Sequence, residues 1–301
     1  MRIGISIGDV RGPATLDELA AQVRTAAELG FDTAWSSQAF GWDALTSLAV
    51  VGSQVPRISL GTAVVPVPQR HPLVLAGQAL SVQAATGNRL TLGIGAGIGA
   101  MVRTMYGLPA DRPVARMREY LTVLAPLLRG ETVEHRGELL TASGAAAVPG
   151  AEPPRVLLAA LGPAMLRLAG EHADGVVTWM TGPRTLAEHI VPSATKAAES
   201  AGRPAPRVVA GLVVCVTGDE TGVRGRVAEA FALAGQVPEY RAMLDREGVA
   251  GPQDVVIVGD ETAVAVQLAR LADAGVTDYL ASPFGTPEEQ DRTTRALAAL
   301  L

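Results

Sequence analysis

The side chains able to do chemistry are few, and they gather where short apolar runs end. His71 lies in Gln69-Arg70-His71-Pro72, immediately before a helical pattern. A histidine there either shuttles a proton or ties down the start of the helix by hydrogen bonding. His135, His172 and His189 fall on a hairpin or on helices and read as uninvolved. No two histidines share a metal-ligand spacing, so no metal site is expected. Cys215 has no base near it in sequence, and no Gly-x-Ser-x-Gly elbow occurs. Leu92–Ala100 (LGIGAGIGA) carries four alternating glycines, but Ile98 stands where a dinucleotide fingerprint needs its third glycine. Those glycines permit either tight strand packing or close approach of the backbone to a flat ligand. Ala159–Leu166 (AALGPAML) reads as a strand, a glycine turn and a helix with Pro163 in its first turn. The free N–H groups and dipole of such a helix start form an anion site, although every βα turn has one. Trp35 reads as core, whereas Trp42 could wall a ring-shaped ligand.

The elements that must position these residues alternate regularly. Strands are expected at Ile3–Ile7, Thr33–Ser36, Ile58–Val65, Leu90–Gly95, Arg155–Ala160, Gly175–Trp179, Val208–Thr217 and Asp278–Ser282. Each is followed by at least one amphipathic helical stretch, among them Thr15–Leu29, Asp43–Val55, Pro72–Ala85, Arg112–Leu128, Arg184–Ala201 and Glu261–Ala274. Thr15 with Glu18 reads as a capping box, and Gly30, Gly87 and Gly275 as helix stops. Apolar strands alternating with helices imply a covered parallel sheet. Eight such units imply an α/β fold, a (β/α)8 TIM barrel, with an open doubly wound sheet as the alternative. Two small insertions are expected, a hairpin at about 130–147 and a mostly helical piece at about 236–254, within one domain spanning 1–301. In a barrel, function collects at the carboxyl ends of the strands. Here those ends span Gly8–Ala14, Ser36–Asp43, Ala63–His71, Gly95–Arg103, Ala160–Met165, Met180–Pro183, Thr217–Asp219 and Ser282–Thr286. They are rich in Gly, Pro and small residues and hold no carboxylate pair placed for hydrolysis. Such a mouth suits an aromatic cofactor that carries the reactivity itself.

Composition narrows the field further. Of 301 residues, 48% are hydrophobic and 18% charged, which excludes disorder for the chain as a whole. A net charge of −5 argues against a nucleic-acid partner. One cysteine permits no internal disulfide. The opening MRIGISIGDVRG has no long apolar segment, and no run of about 18 apolar residues follows, so a cytoplasmic protein without a membrane span is expected.

Four segments together resemble the luciferase-like monooxygenase superfamily, in particular its branch dependent on the deazaflavin coenzyme F420. They are Leu60–Pro72 (LGTAVVPVPQRHP), Gly87–Gly97 (GNRLTLGIGAG), Val156–Trp179 (VLLAALGPAMLRLAGEHADGVVTW) and Leu271–Gly285 (LADAGVTDYLASPFG). The resemblance covers essentially the whole chain. It implies an oxidoreductase that moves a hydride to or from F420, with reduced FMN plus oxygen, or a non-catalytic ligand-binding barrel, as alternatives. It implies a non-proline cis peptide at Ala63–Val64 against the deazaflavin ring, flanked by Ser37 and by the loop Ala96-Gly97-Ile98. It places the coenzyme's phosphate tail at Ala160-Leu161-Gly162-Pro163, and gives Asp174-Gly175 a structural role. Trp42, Ile98 and Phe284 are the expected substrate contacts, and a homodimer is the expected assembly. The helix Asp43–Val55 could supply that interface, although ordinary barrel packing explains it equally.

The departures from that branch matter as much. Its sugar-phosphate dehydrogenases carry Ser-Asp-His-Phe after the second strand, where this chain has Ser37-Gln38-Ala39-Phe40. Their glutamate after the fourth strand is Ile98 here. Lys196, the lone lysine, is a doubtful match for their phosphate-binding lysines. Sugar-phosphate oxidation is therefore not expected. The expected reaction delivers hydride from reduced F420 to a small, largely apolar substrate, protonated by solvent or by Gln38 or His71.

Overall fold

A closed ring of eight parallel strands forms the core of the molecule. The computed structural model describes residues 1–8 and 14–301, so most of the mouth segment expected at Gly8–Ala14 lies outside the described residues. Along the chain run β1 (Arg2–Ile7), α1 (Leu16–Glu28), β2 (Thr33–Ser36), α2 (Ala44–Gln54), β3 (Ser59–Thr62), β4 (Val65–Pro66), α3 (Pro72–Thr86) and β5 (Leu90–Gly95). Next come α4 (Gly99–Tyr106), α5 (Pro113–Leu128), the antiparallel hairpin β6 (Val133–Arg136) and β7 (Thr141–Gly144), β8 (Arg155–Ala159), α6 (Pro163–His172) and β9 (Gly175–Trp179). A continuous helix follows from α7 (Pro183–Thr185) through one π turn (Leu186–Ile190) into α8 (Val191–Ser200). The chain ends with β10 (Arg207–Val216), α9 (Glu220–Ala230), α10 (Pro238–Glu247), β11 (Ile257–Gly259), α11 (Glu261–Asp273), β12 (Asp278–Pro283) and α12 (Pro287–Ala298).

The ring runs β1-β2-β3-β5-β8-β9-β10-β12 and returns to β1, all parallel. The pairing of β9 with β10 closes it and removes the open-sheet alternative. Continuous β-branched and leucine runs make these strands, because both faces are buried. Thr15 and Glu18 do form the capping box, and Gly30, Gly87 and Gly275 take positive φ after their helices.

Three expectations need correction. The third strand does not run unbroken from Ile58 to Val65. It stops at Thr62, the Ala63–Val64 peptide is cis as the resemblance implies, and Val65–Pro66 resumes beside β5. Gly99–Tyr106 is helical where a loop is expected; it is short and buries a single side chain, Val102. The short strand β11 was not foreseen. α2 spends most of its apolar face on the barrel: Leu45, Leu48 and Val51 are buried, and Val50 is its exposed hydrophobe.

A charged plug closes the amino-terminal end of the barrel. Asp278, 3% exposed, receives Nη2 of Arg207 at 2.7 Å and two nitrogens of Arg2 at 2.9 Å. Thr277 donates its hydroxyl to the same carboxylate at 2.6 Å, and Arg207 reaches across to Thr91 of β5. Burial pushes the Asp278 carboxyl up, but the Arg207 and Thr277 hydrogen bonds and the Arg207 charge outweigh it, and the net direction is down.

Candidate active site

The opposite end of the barrel has an apolar floor. Residues opposite one another on parallel neighbours face the same side. The register Ser6–Trp35–Gly61 therefore sends the Trp35 indole inward over glycines of both neighbouring strands. A Cβ at Gly61 would sit 2.3 Å from that ring, and one at Gly4 2.4 Å from Nε1. With Leu157, Val177, Val209 and Leu280, Trp35 fills the barrel interior. Ala63, Val64 and Trp179 lie partly exposed upon this plug and form the floor of the mouth.

The segment carrying Ala63 and Val64 is held on both sides. Ser37 donates its hydroxyl to the Ala63 carbonyl at 2.8 Å, and the Gln38 N–H donates to the Val64 carbonyl at 3.3 Å. On the β5 side, the Thr62 hydroxyl donates to the Gly93 carbonyl at 2.7 Å and accepts the Gly93 N–H at 2.8 Å. A Cβ at Gly93 would lie 2.0 Å from the Thr62 carbonyl oxygen, and one at Gly95 3.0 Å from Val64. Tight strand packing thus accounts for Gly93 and Gly95. Gly97, with φ +72, is exposed and turns the chain into α4.

Helix starts fall into three groups. Thr15, Asp43, His71, Asp219, Asp260 and Thr286 cap α1, α2, α3, α9, α11 and α12 with their own side chains. The start of α7 is served from a distance: Glu247 of α10 accepts the Thr185 N–H at 2.7 Å and the Arg184 N–H at 3.1 Å. The starts of α4, α5, α6 and α10 have no side-chain cap. Of these, α4 and α6 directly follow β5 and β8, which are neighbours, and β5 also borders β4. One arc of the mouth thus carries the apolar floor and two open helix dipoles. Space beside α6 is clear, since a Cβ at Gly162 meets nothing within 4 Å.

The expected site residues divide accordingly. Ala63, Val64, Ser37 and Gln38 come together at the floor, and Gly97 approaches Pro66 and Pro68 of the same segment. Ala96 and half-buried Ile98 lead into the open start of α4. Ala160, Leu161, Gly162 and Pro163 form the turn into α6. Trp42, 46% exposed, anchors its indole N–H on the Ala14 carbonyl at 2.7 Å. Phe284 is not laid open toward the mouth. It is buried in a second apolar cluster with Val213, Val223, Val227 and Val258, and it stacks at a tilt on Phe231. Asp174 accepts the Val156 N–H and pairs with Arg203, as a structural residue would. Lys196 is exposed on α8.

His71 holds two elements together. Its Nδ1 accepts the Leu73 N–H at 3.3 Å and caps α3, so Nε2–H donates to the Thr141 carbonyl of the β6–β7 hairpin at 2.9 Å. With both ring nitrogens engaged it is a poor proton donor. Gln38 Oε1 accepts the Ala44 N–H at 2.7 Å. Asp43 beside it pairs with Arg70. Burial pushes the Asp43 carboxyl up, but bonds from Thr46 and the Arg70 charge bring it below its ordinary value, so it stays ionised. His71→Ala is expected to destabilise the protein by about 1–2 kcal/mol, as for a lost cap and one further hydrogen bond. Coenzyme affinity should stay unchanged; thermal melts and a binding titration read the two effects, and a large affinity loss would restore His71 to the site.

The sequence reading gives neither Trp179 nor His189 a role. Trp179 ends β9 as an aromatic at a strand's carboxyl end, a signal that was there to read. It also packs on Phe231 with ring centroids 6.2 Å apart. His189 reads as uninvolved, yet its Nε2 lies 2.8 Å from the Leu161 carbonyl, in the turn before α6.

The family model for luciferase-like monooxygenases matches residues 1–278. The chain belongs to the luciferase-like monooxygenase family. A Mycobacterium tuberculosis protein provisionally named a coenzyme F420-dependent oxidoreductase is 32% identical over 200 residues, 61% of this chain and 57% of its own length. The 5,10-methylenetetrahydromethanopterin reductase of Methanolobus tindarius is 28% identical over 280 residues, 90% of this chain and 84% of its own. Among solved structures, the coenzyme F420-dependent tetrahydromethanopterin reductase of Methanopyrus kandleri superposes with a TM-score of 0.84 at 22% identity, covering 99% of this chain and 97% of that one. The FMN-bound oxygenating constituent of 3,6-diketocamphane monooxygenase of Pseudomonas putida gives 0.77 at 18%, covering 99% and 97%. Likeness at that identity concerns the fold. No helix among the described residues is long and apolar enough to cross a membrane.

Proposed function

We propose that this luciferase-like protein is an F420-dependent oxidoreductase that passes a hydride from the reduced deazaflavin to a small, largely apolar organic substrate. The observation that carries the reading is one arc of the mouth, where an apolar floor of Ala63, Val64 and Trp179 adjoins the uncapped starts of α4 and α6. A flat tricycle fits the floor, and a phosphate-bearing tail fits the dipoles of α4 and α6. Relatives named for F420 support the choice of coenzyme.

Bound there, the deazaflavin supplies the hydride chemistry. The chain's own residues bind and orient. Ser37 and Gln38 hold the floor segment in place through the Ala63 and Val64 carbonyls. Trp35, Leu157, Val177, Val209 and Leu280 keep water out from below. Acid–base assistance is sparse: Asp43 stays ionised, His71 is engaged at both nitrogens, and Ala39 and Ile98 cannot ionise. An amide donates a hydrogen bond but does not surrender its proton at neutral pH, so Gln38 can orient a substrate oxygen while solvent delivers the proton. That division suits reduction of an activated double bond better than oxidation of an alcohol, which needs a base.

Anaerobic titration with F420 and with FMN tests the assignment. Binding of F420 about tenfold or more tighter than FMN is the expected result, a difference of about 1.4 kcal/mol. The reverse preference, with oxygen consumed by the reduced-FMN complex, would replace the reading with that of a flavin monooxygenase. Failure of bound reduced F420 to pass hydride to any of a broad panel of apolar acceptors would leave a binding protein.

A further inference from the structure

We infer that His189 is a positioning residue for the phosphate end of the coenzyme site, acting through the Leu161 carbonyl. The inference rests on the proposed site at the α6 start. His189 is 7% exposed and lies on the π turn Leu186–Ile190, the one place where the helix running from α7 to α8 takes an extra residue per turn. π turns commonly redirect a single side chain at functional positions. Here the redirected side chain crosses to another βα unit. Nε2 lies 2.8 Å from a carbonyl oxygen, so that nitrogen carries the proton and donates.

The carbonyl it holds belongs to the residue before Gly162, the N-cap of α6. A carbonyl oxygen swinging toward a bound anion would oppose the N–H groups of the first turn. Fixed by His189, it is kept on the buried side, and the donors of Ala164 and Met165 are left to the ligand. The distance between the two helices is also fixed. α6 packs on α8 at Gly170, where a Cβ would lie 2.6 Å from the Ala194 carbonyl. α6 has no side-chain cap of its own, and this contact ties the residue before its N-cap to the π turn.

The test compares the tighter-binding coenzyme with its phosphate-free riboside: F420 with its deazaflavin riboside, or FMN with riboflavin. Dissociation constants are measured for both ligands on wild type, His189→Phe and His189→Gln, together with melting temperatures. Wild type is expected to prefer the phosphate-bearing ligand. His189→Phe should cut that preference by about fivefold, the order of one lost hydrogen bond, while riboside affinity stays level. His189→Gln, which keeps a donor, should recover much of it. His189→Ala carries the same expectation as His189→Phe, so a poorly accommodated ring does not decide the matter. An unchanged preference in folded Phe and Ala variants would overturn the role, as would equal losses for both ligands. A wild type that does not distinguish the two ligands would instead remove the phosphate site itself, and the role of His189 with it.

Discussion

Gly93→Ala is expected to destabilise the protein by about 3 kcal/mol and to abolish coenzyme binding, a larger effect than most single methyl additions produce. The added Cβ would lie 2.0 Å from the Thr62 carbonyl oxygen, which is backbone and cannot rotate away. β3 and β5 would have to part, and the reciprocal Thr62–Gly93 hydrogen bonds at 2.7 and 2.8 Å would part with them. Those bonds are buried, so each loss leaves an unsatisfied group behind. The segment displaced first is Ala63–Val64, the floor of the mouth. Gly162→Ala is the matched control, because its Cβ enters open space and should leave stability unchanged. Urea denaturation followed by a coenzyme titration reads both variants. A Gly93→Ala protein as resistant to urea as wild type would mean that β3 and β5 part without cost.

Asp278→Asn acts at the other end of the barrel and should destabilise by about 3 kcal/mol or more, the range for a buried pair deprived of one partner. Two arginines converge on this carboxylate from β1 and β10, and the amide would leave Arg207, 15% exposed, without its counter-ion. The dependence on pH has a definite sign. The folded carboxyl titrates below its ordinary value, so its contribution is fully present above the unfolded pKa of about 3.9 and is lost as pH falls through the lower folded value. The stability gap between wild type and Asp278→Asn should therefore be constant near neutrality and shrink below about pH 4. Coenzyme affinity should be unaffected. A gap that widened in acid would show that the carboxyl is protonated in the folded state.

Most of the barrel was legible because its signals are local. β2, β5 and β9 could be placed to the residue from β-branched runs bounded by glycine stops. The capping box of α1 and Pro163 at the start of α6 lie within a few residues of what they control. Two segments hid their structure. α4 is short and buries only Val102, and β11 has only three residues. At the site, what could not be read is what depends on contacts between distant positions. Glu247 serves a helix start 62 residues away, and His189 reaches a carbonyl 28 residues away. His71 attracted attention by its type, yet its neighbours in space make it a brace. The Phe284 position after β12 suggested the mouth, but the valines of β10, α9 and β11 claim that ring.

The Glu247 carboxylate at the start of α7 has a consequence for molecular recognition. A tethered carboxylate there acts as a resident decoy at a very high effective concentration, and a free phosphate cannot displace it cheaply. Among the described residues, the start of α7 is thereby closed to a phosphate tail, and on the proposed reading the open starts of α4 and α6 give the coenzyme its heading.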